Sequence, residues 1–408
     1  MAQMSDMAGA APVGAWAPLR HRAFLWIWTA TVLSNTGTWM NDVGAAWLMT
    51  ELAPTPIMVA LIQSATTLPV LCFALLAGVL TDRLDHKRMM LVINGAMAAV
   101  AGLMAVVVWQ GAMSAGLLLL LTFLLNTGAA FLAPLWLATV PSLVDRPALP
   151  AALALNSMGI NISRAIGPSL AGLVIVAAGL WAPFALNALS FVAILAAVAL
   201  WRPEARGGKR RTRIRADLRE IWDFLRATPA FRRVLLRAFG FFLSASAGWA
   251  LLPVIARENV GAGSGGFGVM MGAIGLGAVL AALVLPRLRR ALSAGALVSL
   301  GTGVVALCLS GLAMVGGLIP SLGLCLLFGM AWIAVLSSFH IATQIVLPGD
   351  LRGRGVAVFL MVFFGTMALF AFFWGALATW TTPSLALGAA AASAALALVS
   401  LRRVPLPG

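Results

Sequence analysis

Gly78-Val79-Leu80-Thr81-Asp82-Arg83-Leu84-Asp85-His86-Lys87-Arg88 interrupts an otherwise apolar run. Apolar stretches at about 57–80 and about 89–109 flank it, each near the roughly 20 residues a helix needs to cross a hydrocarbon core. Two such stretches joined by a short basic turn read as membrane helices meeting at the cytoplasmic face. Outward from this turn, basic residues recur in every second gap between apolar stretches. They are Arg20 and Arg22, then Arg83, Lys87 and Arg88, then Arg146, then the run from Arg202 to Arg237. Arg287, Arg289 and Arg290 follow, then Arg352 and Arg354, then Arg402 and Arg403. All of the 27 Lys and Arg residues except Arg164 and Arg257 obey this alternation. The gaps around Glu51, Gln110, Gly179, Gly316 and Thr381 carry none.

A chain that is 62% hydrophobic and 10% charged, with a mean hydropathy of +1.01, is no ordinary soluble domain. The net charge of +15 would suit nucleic acid, but its confinement to alternate loops suits orientation in a bilayer and contact with anionic headgroups. Membrane lipid is therefore an expected partner and nucleic acid is not. Cys72, Cys308 and Cys325 lie in apolar stretches without metal-ligand or CxxC spacing and read as small hydrophobes. No metal or cofactor is expected. Residues 1–19 lack a basic segment followed by an apolar core, so they read as a flexible cytoplasmic tail rather than a cleaved leader.

Twelve stretches reach spanning length: about 23–50, 57–80, 89–109, 114–140, 151–178, 181–201, 235–256, 266–286, 293–314, 318–340, 355–379 and 383–401. Backbone groups in lipid must bond internally, which makes these stretches helices. The expected fold is an all-α integral membrane protein of twelve helices with both termini cytoplasmic. Trp26, Trp28 and Trp201 fall at the inner edges and Trp47, Trp109, Trp181 and Trp380 at the outer ones. Segment 202–234 divides the chain into six-helix halves at 20–201 and 235–401, with a short tail at 402–408. Within that linker Leu218, Ile221, Trp222 and Leu225 recur at helical spacing behind Asp217 and Glu220. They predict a surface helix with Arg213, Arg215, Arg219 and Arg226 toward lipid headgroups.

The halves echo one another. Asp82-Arg83-Leu84 after the second stretch corresponds to Pro286-Arg287-Leu288 after the eighth, and Asp145-Arg146 after the fourth to Asp350-Leu351-Arg352 after the tenth. Ser34, Thr36 and Trp39 align with Ser244, Ser246 and Trp249. A six-plus-six repeat is the trace of a secondary transporter with its site between the repeats.

At these residues the chain resembles the major facilitator superfamily over essentially its whole length. Residues 78–88 are similar to that superfamily's G-x-L-x-D-R-x-G-R-[KR] signature, with Asp85 and His86 replacing Gly and Arg, a variation associated with its drug- and siderophore-exporter branch. The stretch from Leu155 through Gly159 and Asn161 to Gly172 resembles helix 5 of that branch, which includes enterobactin exporters and macrolide efflux proteins. Its Gly167-Pro168-x-x-x-Gly172 core resembles a degraded antiporter motif. The arginine usual in helix 4 of proton-coupled drug antiporters has no counterpart, because 114–140 contains no ionisable group. The resemblance implies a plasma-membrane exporter of a small molecule; a monomer is expected. Physically, Gly78 would permit close helix approach. Asp82, with Arg83, Lys87 and Arg88, would form contacts between the halves in one conformation and break them in the other.

Asp42 and Arg164 are the ionisable residues other than histidine deep within the stretches. Each costs about 2.5–3.5 kcal/mol near the bilayer centre, so both should face a cavity or one another. They lie roughly 28 Å and roughly 21 Å from the inner ends of their helices, within reach of an arginine side chain. Three roles are open: Asp42 carrying a transported proton beside Arg164, Arg164 binding an anionic substrate, or a fixed structural pair. Asn35, Asn41, Gln63 and Asn161 are candidate polar residues of a substrate cavity, and Trp39, Trp249, Trp332 and Trp374 candidate aromatic ones. Such a lining suits a bulky hydrophobic or amphipathic molecule. No G-x-x-x-x-G-K-[ST], HExxH or GxSxG stretch is present, so neither P-loop hydrolysis nor a familiar enzyme site is expected. The expectation is a proton-coupled exporter working by alternating access. An importer or uniporter is the alternative, and a receptor or lipid enzyme the remote one.

Overall fold

Long apolar runs satisfy their backbone bonds within the segment, and the computed structural model shows the outcome. It describes residues 14, 16–201, 224–348, 351–401 and 404–406; at 75, 82, 83, 146 and 352–354 only the backbone is described. The predicted surface helix at 217–225 falls mostly outside these residues, as do most of the two tails.

The described residues form twelve helices of 19 to 31 residues and no strand. The first six are α1 (Arg22–Leu52), α2 (Pro56–Arg83), α3 (His86–Trp109), α4 (Ala115–Thr139), α5 (Leu149–Ala178) and α6 (Ala182–Leu200). The last six are α7 (Pro229–Glu258), α8 (Ser264–Ala291), α9 (Ala294–Met314), α10 (Leu318–Val346), α11 (Arg352–Trp380) and α12 (Pro383–Leu401). By length and composition, eleven helices among the described residues can cross a membrane. The exception is α1, whose apolar character is diluted by Ser34, Asn35, Thr36, Asn41 and Asp42.

Local chemistry sets the ends. Asp85 accepts a hydrogen bond from the Arg88 backbone N–H at 2.8 Å and caps α3. Ser114 and Ser293 cap α4 and α9 in the same way. Gly111 and Gly317 hold φ of +68° and +96° in the α3–α4 and α9–α10 turns, a conformation glycine adopts without steric cost. Pro229 at the first turn of α7 extends that helix six residues beyond the expected start at 235.

Packing repeats. Helix α1 packs on α5 and α6, α2 on α4, and α3 on α4 and α6. Helix α7 packs on α11 and α12, α8 on α10, and α9 on α10 and α12. The two sets meet chiefly along α2–α11 and α5–α8, with α1 and α7 lining the space between. Trp26, Trp109 and Trp380 are exposed, as expected of interfacial residues, whereas Trp47 and Trp201 turn inward and are buried.

The loops α2–α3, α4–α5 and α8–α9 share one end of the bundle, the basic end. Toward the opposite end the seam between the two sets is tight. A Cβ on Gly268 would lie 2.6 Å from the Gly172 Cα, and one on Gly275 would lie 2.7 Å from the Ala165 Cα, so α8 meets α5 backbone to backbone. On the other seam the Ile57 N–H donates to Thr379 Oγ1 at 3.0 Å and Ser64 Oγ to the Ala368 carbonyl at 2.8 Å. Arg257 donates to the Thr50 carbonyl, tying α7 to the C-terminal turn of α1.

Candidate functional site

Small residues bring α1 onto α5 and thereby set the position of the buried charges. A Cβ on Gly159 would lie 2.6 Å from Val32 Cγ2, and one on Gly167 would lie 2.6 Å from Trp39 Cβ. Hydroxyls close the same contact: Ser163 donates to the Val32 carbonyl at 2.9 Å and Thr36 to Ser163 Oγ at 3.1 Å. With Trp39 fixed against α5, the Arg164 guanidinium sits 5.5 Å from its ring centroid, a cation–π contact. Trp28 braces the same helix by donating to the Leu155 carbonyl at 3.0 Å.

Arg164 and Trp39 then form part of a cavity of about 300 Å³ between the two sets of six helices. Its two walls differ in chemistry. The α1, α2 and α5 side supplies Asp42, Gln63, Thr66, Thr67 and Arg164. The α7, α8, α10 and α11 side supplies Trp249, Phe267, Met271, Trp332, Phe363, Phe364 and Met367. Trp249 and Trp332 meet edge to face at 5.3 Å, and Trp332 lies 6.0 Å from Phe363. No ion pair joins Asp42 to Arg164; Asp42 Oδ1, Arg164 Nε and Trp249 Nε1 are buried atoms without a hydrogen-bond partner.

Of the residues expected at a substrate cavity, Trp39, Gln63, Trp249 and Trp332 line this one. Asn41 is fully buried with both amide atoms unpaired. It lies on the α1 face that packs on α6, between Gly37, beside Asn187 and Ser190, and Gly44, beside Phe184. Trp374 packs α11 onto α7, donating to the Leu243 carbonyl at 2.8 Å. Asn35 lies two turns from Asp42 on the same α1 face, toward the basic end, and is half-buried. Asn161 lies one turn from Arg164 toward the basic end; it is exposed and bonds the Ser157 carbonyl. Phe267, Met271, Phe363, Phe364 and Met367 carry no distinguishing mark in the sequence. Each is an ordinary apolar residue of a spanning helix, and only the tertiary arrangement sets it apart.

The helix-5 motif divides its work: Gly159 and Gly167 seat α1, while Gly172, one turn beyond Pro168, seats α8. A methyl group placed on Gly78 would meet no atom within 4 Å, so this glycine makes no close helix contact in this conformation. Lys87 donates to the Ala199 and Trp201 carbonyls at 2.8 and 2.6 Å, capping the end of α6 within its own set of helices. Arg88 is exposed, and the Asp82 and Arg83 side chains fall outside the described atoms.

A family model described as transmembrane secretion effector matches residues 13–408. The chain belongs to this transporter family. It is a plasma-membrane transporter of the major facilitator superfamily and not an enzyme. Among its relatives it is 25% identical to the multidrug efflux pump Tap of Mycobacterium tuberculosis over 83% of each chain. It is 22% identical to the staphyloferrin A transporter of Staphylococcus aureus over 64% of this chain and 66% of that one. With macrolide efflux protein A of Streptococcus pyogenes it shares 24% identity over 43% of the transporter and 42% of the relative. Its fold matches the crystal structure of the nucleoside transporter NupG with a TM-score of 0.75 at 13% identity, over 94% of this chain and 99% of that one.

Proposed function

We propose that the transporter is a proton-coupled exporter of a hydrophobic or amphipathic small molecule. Its twelve helices all span the membrane, the basic end and both termini are cytoplasmic, and the halves 20–201 and 235–401 rock about the cavity as a monomer. The observation that carries this reading is the two-sided cavity: Asp42 and Arg164, with no ion pair between them and with Oδ1 and Nε lacking hydrogen bonds, face an aromatic wall supplied by the other half.

A carboxylate free of a fixed partner can take a proton from one side and release it to the other. Arg164, held by Trp39, supplies the charge that makes occupancy by proton or by substrate alternatives. The aromatic wall takes the apolar body of the substrate. The tight seam away from the basic end and the exposed Asn161 on the path from Arg164 toward it describe a cavity open to the cytoplasm. In the opposite state the loop at 78–88 closes and joins the halves at the basic end. Export agrees with the named efflux pumps among the relatives.

The test is accumulation of a panel of amphipathic compounds in inverted vesicles, with wild type or Asp42→Asn and with or without a protonophore. Accumulation lost with either change is expected. Accumulation that survives both refutes proton coupling through Asp42.

A further inference from the structure

A second cavity lies apart from the central one. A groove of about 900 Å³ runs along the outside of the bundle between α1 and α6, at the basic end. Its walls are Trp26 and Leu33 of α1 and Leu200 of α6, which are 66%, 55% and 84% exposed. Ala196 and Ala197 form its floor. From Trp26 to Leu33 it extends about 10 Å along the helix axis, entirely within the apolar depth of the bundle.

The mouth of the groove is charged. His21 and Arg22 line it at the start of α1, and Asp145 reaches it from the α4–α5 loop. Asp145 Oδ2 is 3.7 Å from His21 Nε2, which forms an ion pair with it when the imidazole is protonated. Arg22 is exposed and has no partner among the described residues. Lys87 adds a second positive charge nearby, where it caps α6 through the carbonyls of Ala199 and Trp201, the latter a mouth residue.

We propose that this groove is a binding site for an anionic phospholipid of the leaflet at the basic end. The headgroup phosphate meets Arg22, with Lys87 reinforcing the field, and one acyl chain lies over the alanine floor between Trp26 and Leu200. The charge complementarity selects the occupant: an apolar trough ending in an unpaired cation at headgroup depth matches a lipid with a negative head and an apolar tail. This proposal goes beyond the transport reading and does not depend on the substrate, the coupling ion or the direction.

The full chain, purified in detergent, is titrated with phosphatidylglycerol or phosphatidylcholine and the adducts are counted by native mass spectrometry. Wild type is expected to hold one phosphatidylglycerol more tightly than phosphatidylcholine. Arg22→Gln should weaken phosphatidylglycerol by about fivefold and phosphatidylcholine, whose choline offsets its phosphate, by less. Ala196→Trp, which fills the trough, should weaken both, whereas Val92→Trp on the exposed face of α3 should weaken neither. Equal retention of the two lipids by wild type, or Arg22→Gln without effect on phosphatidylglycerol, overturns the proposal. Unchanged adducts with Ala196→Trp would also overturn it, placing the lipid elsewhere. Melting curves of each variant confirm that losses are not due to unfolding.

Discussion

Asp42 and Arg164 line one cavity wall without an ion pair between them, and the Arg164 guanidinium lies 5.5 Å from the Trp39 ring centroid. On the proposed reading Asp42 exchanges a proton, and Trp39 is then as much a part of the arrangement as either charge. Trp39→Leu should therefore impair gradient-driven accumulation while Trp374→Phe, which loses only a helix-to-helix hydrogen bond, should leave substrate affinity unchanged; transport kinetics of the two variants make the comparison. On the opposite wall, Trp249→Ala removes one face of an aromatic pair worth about 0.5–1.5 kcal/mol and should raise KM about threefold to tenfold for planar substrates. Arg237 is a different kind of buried charge. It is 5% exposed and satisfied by the carbonyls of Gly295 and Val404 and by Ser299 Oγ, joining α7, α9 and the C-terminal segment. Arg237→Ala leaves those acceptors without their donor, at about 1–3 kcal/mol, so it should lower the melting temperature without altering KM.

At the scale of elements, the seams decide which state is occupied. Helices α5 and α8 approach so closely around Gly172 and Gly268 that any side chain must displace backbone. Gly268→Val should cost about 1–3 kcal/mol in the state closed away from the basic end and shift the population toward the other state. Labelling of Met271→Cys by an impermeant maleimide from outside should rise in that background, and unchanged protection would contradict the argument. Much of this level is readable in the sequence. The basic alternation marks the helices because lipid imposes one rule on every span, and Gly167, Pro168 and Gly172 stand out through the resemblance of their stretch to helix 5 of the exporter branch. The glycines of α8 at 265, 268, 272 and 275 carry the same signal, but nothing in the sequence names the helix they face. Asn41 and Asn161 could not be placed from the sequence, because one turn of a helix separates a cavity face from a packing face. Arg257, the exception to the charge alternation, is explained by its bond across the halves to the end of α1.

For the whole molecule, the repeated packing pattern and the unequal seams describe one state of a two-state device. The contacts that hold it, Ile57 to Thr379, Ser64 to Ala368 and Arg257 to Thr50, all join the halves toward the end away from the basic loops. A Cβ on Gly78, at the basic end, would meet no atom within 4 Å. In the proposed mechanism rocking exchanges these contacts for ones at the basic end, and proton or substrate at Asp42 and Arg164 biases the exchange. The central claim is that substrate and proton compete within this cavity. It is tested most directly with purified transporter in proteoliposomes, loaded with a pH-sensitive dye and given a compound accumulated in the vesicle assay. An outward substrate gradient should drive proton movement in the opposite direction with wild type and none with Asp42→Asn. Substrate flux without accompanying proton movement in wild type, or equal proton movement in the variant, would contradict the account.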